Sequence, residues 1–429
     1  MSFIKHYLRP KPLQSMRWLR GLCHQSANES KHLPKDKIIT KMNVKNALRC
    51  QPSDQLIAIS GWVKSSRKQK PIFLHINDGS VHKHIQVVIN EDVVHTLAKE
   101  LHNGCCVRCV GRLVKSPGPK QPVELLCQSI DIMGSCDPNA YPFVDKSLDY
   151  KTQYFRQFPH LRQRQPLFQS LARLRSEAMN AIHMYGRQHD FTNVTTPLLT
   201  SNDCEGGGHV FTVKSPFCTE DNLYFNRQTY LSVSSQLHLE AMARSLSRVY
   251  TLSQCFRAEQ SLSRRHLAEF LMYESEEAMT YNEAIETLRK TTKYEDLKSG
   301  QNLNAEQERL LVECMDNIPV FVTHFPANVF IQYILLTNRP ALCFDLLAPI
   351  SGEICGGSVR EDSLTELENR INDLKMSDSL DWYLDLRRFG NTITGGYGIG
   401  FDRLMQTMTG IPNIRDVSTF PRFLHNCLL

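Results

Sequence analysis

The chain has 429 residues, 50 basic against 44 acidic side chains, 41% apolar residues and a formal net charge of +6. At roughly 100 to 200 residues per domain, that length supports two or three domains with a sizeable core. No apolar run approaches the roughly 18 residues of a membrane helix, so no membrane partner is expected, and 20 Phe with 14 Tyr argue against a collagen-like or wholly disordered chain.

The charge is unevenly placed. Residues 1–37 carry 8 basic against 2 acidic side chains, residues 38–136 carry 13 against 7, and the remaining 293 carry 29 against 35. Three segments of +6, +6 and −6 point to three different tasks. Residues 1–28 hold five basic residues and no acid, interspersed with Phe3, Ile4, Leu8, Trp18, Leu19 and Leu22 but without the continuous apolar core of a secretory signal. That pattern predicts a presequence addressed to the mitochondrial matrix. A disordered basic tail is the plainer alternative.

Residues 38–136 switch to short strands, predicted over Leu56–Val63, Ile72–Ile76, His84–Ile89, Cys105–Leu113 and Val123–Met133, with turn signals at Asp78-Gly79-Ser80 and Ser116-Pro117-Gly118-Pro119. Five such strands suit a closed OB-fold barrel. Lys64, Arg67, Lys68 and Lys70 read as a basic loop just before Phe73, the pairing of cations with a ring that single-stranded nucleic acid needs. A generic barrel with a solvated charged loop fits these residues equally well. The 14 cysteines are scattered; Cys105, Cys106 and Cys109 alone cluster, in a strand-like run with no second pair or flanking His, so they read as core thiols of a reducing compartment and not as a zinc site.

After a hinge over 137–165, residues 166–429 carry three informative stretches. Helical spacing over Gln169–Gln188 leads into a strand from Asp190 that stops at Pro197. Next come Phe256-Arg257-Ala258-Glu259, a polar loop, and Arg265-His266-Leu267-Ala268-Glu269-Phe270, read as strand, loop, strand, with Arg257 and Phe270 on one antiparallel platform. An arginine fork suits phosphate and a Phe face suits adenine, although a solvated loop is the plainer reading of Arg264-Arg265-His266. The third stretch, Gly395-Gly396-Tyr397-Gly398-Ile399-Gly400-Phe401-Asp402-Arg403, has neither dinucleotide-fold nor P-loop spacing. Its glycines let a strand pass close under a ligand and deliver Arg403 at a helix start.

Taken together, these stretches resemble motifs 2 and 3 of the class IIb aminoacyl-tRNA synthetases and, within them, the asparaginyl enzymes, the mitochondrial ones most closely. Ser201 to Gly208, Ser234 to Glu240, Gly352-Glu353-Ile354, Gly356 to Glu361 and the ending from Asn413 to Arg422 extend the resemblance from about residue 45 to the end. It implies an α+β fold, an antiparallel class II sheet flanked by helices and preceded by a five-stranded OB-fold barrel that binds the anticodon. It also implies ATP-dependent joining of L-asparagine to tRNA(Asn) through an asparaginyl-adenylate, in a homodimer whose interface takes Pro197. Catalytic roles fall on Arg257, at the α-phosphate, and Arg403, at the γ-phosphate. The implied ATP site adds Glu259, Arg265, His266 and Phe270. Asp345, Glu353 and Ser358 would ligate Mg²⁺, and Phe73, Gln86 and Glu124 would read the middle anticodon base. Glu205 and Gln236 would bind the amino-acid backbone, and Arg360 the side-chain oxygen. Leu239 stands where aspartyl enzymes place a lysine, and Glu274 offers an acceptor for an amide, so asparagine is read over aspartate. Residues 284–344 look shorter than in the family, with Leu288 to Pro319 and an unusual Phe330 to Leu336 around Tyr333. The alternatives are an aspartyl or nondiscriminating synthetase, a non-catalytic tRNA-binding paralogue, and an ammonia-dependent asparagine synthetase, which would not need the barrel.

Overall fold

The computed structural model describes residues 38–67, 71–90, 99–119, 121–143, 152–202, 209–217, 219, 223–278, 305–325, 341–373 and 377–428. The leader 1–37, Lys68, Lys70, Glu205 and Tyr333 lie outside the described residues. The chain divides into two compact units, residues 1–149 and 150–429.

In the first unit a short β1 (Thr40–Lys41) and α1 (Val44–Ala47) precede β2 (Ser53–Arg67), β3 (Ile72–Asn77), β4 (Ile85–Ile89), β5 (Cys106–Lys115) and β6 (Val123–Gly134). The strands run in the order β1-β2-β3-β4-β6-β5, and β2 pairs again with β5, so the sheet closes into the expected barrel. Alternation sets what faces inward: Leu74 and Ile76 of β3 and Ile85, Val87 and Ile89 of β4 are fully buried and fill the lumen. Closure brings backbones together; a Cβ on Gly111 would stand 2.1 Å from the Leu126 carbonyl oxygen, so β5 needs glycine there. Cys105 and Cys109 are buried in the same core, the plain thiol role expected of them. The basic loop is corrected: β2 continues to Arg67, with an irregularity between Val63 and Ser65, so Lys64 and Arg67 are strand residues, and Arg67 pairs with Phe73.

The second unit opens with α2 (Thr152–Phe155), α3 (Pro159–Arg162) and the long α4 (Pro166–Gln188), then β7 (Thr192–Asn193). The strand read over 190–197 is therefore only two residues of ladder, parallel to Val249 and Tyr250; Asp190 takes φ 60° and turns the chain out of the helix. Three short strands, β8 (Leu199–Thr200), β9 (Thr212–Val213) and β10 (Thr229–Leu231), form a small sheet. Beyond them lie α5 (Gln236–Leu246), β11 (Arg248–Phe256), β12 (Glu269–Ala278), α6 (Ala305–Cys314), β13 (Val320–Phe325), β14 (Ala341–Ala348), β15 (Gly352–Val359), α7 (Leu364–Asp373), α8 (Ser377–Arg388), β16 (Thr394–Gly400), α9 (Phe401–Thr409) and α10 (Ile414–Val417). The main sheet has the order β13-β14-β15-β16-β12-β11-β7, antiparallel except at β7. Within the segment read as shortened, α6 and β13 are present, and β13 pairs with β14 from Val320 to Phe325.

The C-terminal segment is fastened by charge. Arg162 is fully buried, its guanidinium donating to the carbonyls of Ser418, Thr419 and Arg415 at 2.5, 2.8 and 3.3 Å and lying 4.7 Å from the Phe168 ring centroid. Burial pulls its pKa down to about 10, against the opposing pull of Asp416. Arg156 grips Asp416 with two bonds of 2.7 Å. Arg162→Met keeps the bulk but strands three carbonyls, and is expected to cost the second unit about 3 kcal/mol in urea unfolding.

Candidate active site and nucleic-acid interface

Two adjoining cavities lie on the main sheet, sharing Arg257, Met272, Glu353 and Gly398. Their floor follows from strand register. On β12, Met272, Glu274 and Glu276 face the same way and pair with Gly400, Gly398 and Gly396 of β16. A strand without side chains at those positions leaves room above it, and that is the work of the glycine run. The constraint is tightest at Gly396, where a Cβ would stand 1.9 Å from Glu276 Oε2.

The first cavity is lined by Gln236, Leu239, Glu274, Asp345, Ser358 and Arg360 among others. Arg360 is 6% exposed and forks onto Glu276, Nε and Nη2 donating to its two oxygens at 2.9 and 2.7 Å. Burial raises the Glu276 carboxyl, opposed by Arg360, whose guanidinium meets both of its oxygens as it would a carboxylate. Burial opposes the Arg360 charge, but Glu276 outweighs it and holds the guanidinium protonated. Glu274 accepts from the Ser234 hydroxyl and, at 2.9 Å, from the Ser235 N–H, while burial raises its pKa. Behind the cavity Glu240, fully buried, forms an ion pair with Arg387 at 2.8 Å and accepts from Arg244 and Thr394 at 3.0 Å and from the Tyr383 hydroxyl. Burial alone would raise the Glu240 carboxyl; Arg387 and Tyr383 hold it below its usual range.

The second cavity gathers Glu259, Arg265, His266, Phe270 and Arg403. β11 and β12 pair through Cys255–Phe270, and the Arg257 N–H donates to the Ala268 carbonyl at 3.0 Å, which sets the Arg257 guanidinium 5.5 Å from the Phe270 ring centroid. This is the single antiparallel platform expected of them. Arg403, at the start of α9, donates to the Glu353 carbonyl at 2.8 Å and to its carboxylate at 3.3 Å. His266 Nδ1 meets the Ser261 and Ser263 hydroxyls at 2.9 and 2.7 Å, and Nε2 lies 3.5 Å from Glu259. Burial lowers the His266 pKa, opposed by Glu259 and reinforced by Arg403, Arg265 and Arg257. Arg265 pairs with Glu308 of α6 at 2.8 Å and lies against Gly352, whose φ of 69° and missing Cβ make room for the guanidinium. Asp402, between the glycines and Arg403, is held by Arg175 at 2.5 Å and fixes the helix.

Asp345 and Glu353 converge over Gly356: their oxygens lie 3.2 and 3.3 Å from where its Cβ would be. Burial, then Glu353 and Glu308, push the Asp345 carboxyl up to about 7. Two hard oxygens in need of positive charge fit Mg²⁺, whose remaining ligands would be oxygens from outside the protein; among the described residues no group of three His, Cys, Asp or Glu could hold a metal by itself. The Ser358 hydroxyl accepts from Arg360 Nη1 at 2.7 Å, which engages it with the guanidinium.

On the barrel, Gln86 Nε2 donates to Glu124 Oε2 at 2.9 Å. Phe73 is on the neighbouring strand, paired with Val88. Sequence reasoning missed Glu276 and Glu308. Of these, Glu276 was findable, since a glutamate two residues beyond Glu274 on a strand shares its face.

The class II tRNA synthetase (D, K and N) family model matches residues 151–292 and 277–424, and the OB-fold nucleic acid binding domain model matches 57–133. A Mus musculus asparaginyl-tRNA synthetase is 36% identical over 92% of this chain and 96% of its own length, and a Borreliella afzelii asparagine–tRNA ligase is 35% identical over 89% and 98%. The crystal structure of Pyrococcus horikoshii asparaginyl-tRNA synthetase complexed with asparaginyl-adenylate superposes with a TM-score of 0.76 at 28% identity, covering 87% of this chain and 96% of that one.

A carboxyl raised from 3.8 to about 7 contributes stability that is present at low pH and is lost as the pH rises through 7. Asp345→Asn is therefore expected to raise the thermal midpoint of the cation-free protein at pH 8 by several degrees and to change it little at pH 4. Added MgCl2 should raise the wild-type midpoint at pH 8 and leave that of the variant in place.

Proposed function

The chain belongs to the class II tRNA synthetases of the D, K and N group and to the asparaginyl-tRNA synthetases (asparagine–tRNA ligases) among them, and from that premise we propose that it charges tRNA(Asn) with L-asparagine for mitochondrial translation. The asparagine carboxylate attacks the α-phosphorus of ATP and expels pyrophosphate; a terminal ribose hydroxyl of the tRNA then attacks the adenylate carbonyl and releases AMP. No side chain forms a covalent bond. The enzyme positions its substrates and neutralises charge.

Arg257 sits at the junction of the two cavities, where an amino-acid carboxylate and an α-phosphate would meet, and Phe270 offers its ring to adenine. Arg403 faces the far end of the triphosphate. Asp345 and Glu353 would hold Mg²⁺, which supplies further neutralisation of the phosphates when bound. Gln236 stands at the start of α5, within reach of the amino-acid end.

The observation that carries the choice of asparagine is the Arg360–Glu276 ion pair beside Glu274. The cavity's arginine is already matched by one carboxylate, and a second carboxyl stands next to it. An asparagine amide brings its oxygen to the guanidinium and a donor to Glu274. Aspartate brings a second acceptor and another negative charge into a buried acidic site. Leu239, which lines the cavity, brings no cation that could compensate.

Exposed Leu174, Met184, Tyr185, Leu198 and Leu199, on α4 and the segment after it, support the homodimer, which light scattering tests. A fluorescent fusion of residues 1–40 that stays cytosolic would sink the mitochondrial assignment. The central test is ATP–pyrophosphate exchange followed by tRNA charging: exchange is expected with asparagine and at least a hundredfold less with aspartate. Glu274→Gln should raise the KM for asparagine tenfold or more. Glu276→Gln, which leaves Arg360 unmatched, should shift the asparagine-to-aspartate ratio toward aspartate.

A further inference from the structure

Residues 257–268 run from the end of β11 to the start of β12 and belong to neither strand, yet they present Glu259, Arg265 and His266 to the second cavity. The tip of this loop is exposed at Leu262, Ser263 and Arg264. An exposed turn with no partner strand samples many conformations, and the two side chains that follow it would move with it.

Three successive carbonyls of the tip are instead taken by α10. Arg415 Nη2 donates to the Leu262 carbonyl at 3.0 Å and to the Ser263 carbonyl at 3.3 Å, and the Ile414 N–H donates to the Arg264 carbonyl at 3.0 Å. One guanidinium nitrogen carries two hydrogens and so serves two acceptors, and its positive charge makes each bond stronger than one from a neutral donor. The guanidinium lies over the Phe423 ring, 4.0 Å from its centroid, which limits how far it swings. Inside the tip, the Ser261 and Ser263 hydroxyls meet His266 Nδ1, so a fixed backbone also fixes the imidazole.

The helix that supplies these donors is itself firmly held. Asp416, buried, takes both bonds of Arg156, the Arg415 carbonyl accepts from the buried Arg162 at 3.3 Å, and Asn413 Oδ1 accepts from the Arg415 N–H at 3.1 Å. Neighbours on one short helix thus divide the work, Asp416 anchoring it to α2 and Arg415 reaching out to the tip.

We propose that Arg415 is a positioning residue that latches residues 262–264 to α10 and thereby keeps Arg265 and His266 beside the second cavity, where the phosphates of ATP arrive. This rests on the reading that those two side chains meet the triphosphate. Arg415 lines neither cavity, so it acts through the loop. Its loss should fall on ATP and spare asparagine, whose cavity is walled by Gln236, Glu274, Ser358 and Arg360 on other elements.

The test is ATP–pyrophosphate exchange by the full-length protein with each substrate varied in turn. Arg415→Met, which keeps bulk over Phe423 but offers no donor, should raise the KM for ATP at least fivefold and that for asparagine by less than twofold. Arg415→Lys, whose ammonium still reaches a carbonyl, should recover most of the loss. An unchanged KM for ATP in Arg415→Met overturns the proposal, and so does an equal rise for both substrates with a lowered melting temperature, the mark of a merely structural role. Trypsin gives a readout that needs no turnover. The bonds after Arg264 and Arg265 should be cut slowly in the wild type despite the exposure of the tip, and at least fivefold faster in Arg415→Met. Ready cleavage there in the wild type overturns the latch even where the variant does not fold, as does equal cleavage in both proteins. Absence of asparagine-dependent exchange in the wild type would defeat the functional reading and leave the trypsin result to judge Arg415.

Discussion

Arg360 and Glu276 meet across the floor of the first cavity, nearly out of reach of water and joined by two hydrogen bonds, and much of the second unit is arranged around them. A buried pair of this kind is costly to break, about 3 to 5 kcal/mol when one partner is removed, because the other is left charged in a poor solvent. Gly396 has to be glycine for Glu276 to reach its place. The Arg360 N–H is anchored to the Thr394 carbonyl, and the Thr394 hydroxyl reaches Glu240, which also takes Arg387, Arg244 and Tyr383. The cavity wall, α5 and α8 are thus tied through one carboxylate buried behind the cavity.

On that frame the cavities carry few cations. Arg257 directly follows the last residue of β11 and Arg403 enters at the first turn of α9, so both stand at element ends where the backbone is fixed. Arg175 holding Asp402 keeps α9 from rotating Arg403 away. Arg265 differs: its bond to Glu308 draws it over Gly352 toward α6, so a phosphate that recruits it must first compete with a carboxylate.

The barrel and the motif-bearing strands were legible because their signals are local. Alternation predicts β3 and β4 within a residue, and the spacing of Arg257 and Phe270 fixes a hairpin platform. The strand read to Pro197 shrank to two residues because hydrophobicity marks extended chain but cannot say whether a partner strand runs alongside it. Lys64 and Arg67 looked like loop for the opposite reason: their charge masked a ladder that β3 imposes. Arg360 was found without its partner. The pairing of Arg360 with Glu276 joins residues 84 apart in sequence, and nothing local in either segment announces it.

The net charge of +6 is a poor guide to where anions bind. The second unit lies within the acidic part of the chain, yet its cavities present Arg257, Arg403, Arg265 and Arg360. Arg360, Arg265 and Arg403 are already partnered by carboxylates, so the field an anion meets is set pair by pair. Arg403 and Arg265 have partners that water still reaches, whereas Arg360 is matched by a carboxylate nearly out of its reach. The same sheet can therefore attract one anion and reject another a few ångströms away, which a uniformly basic surface could not do.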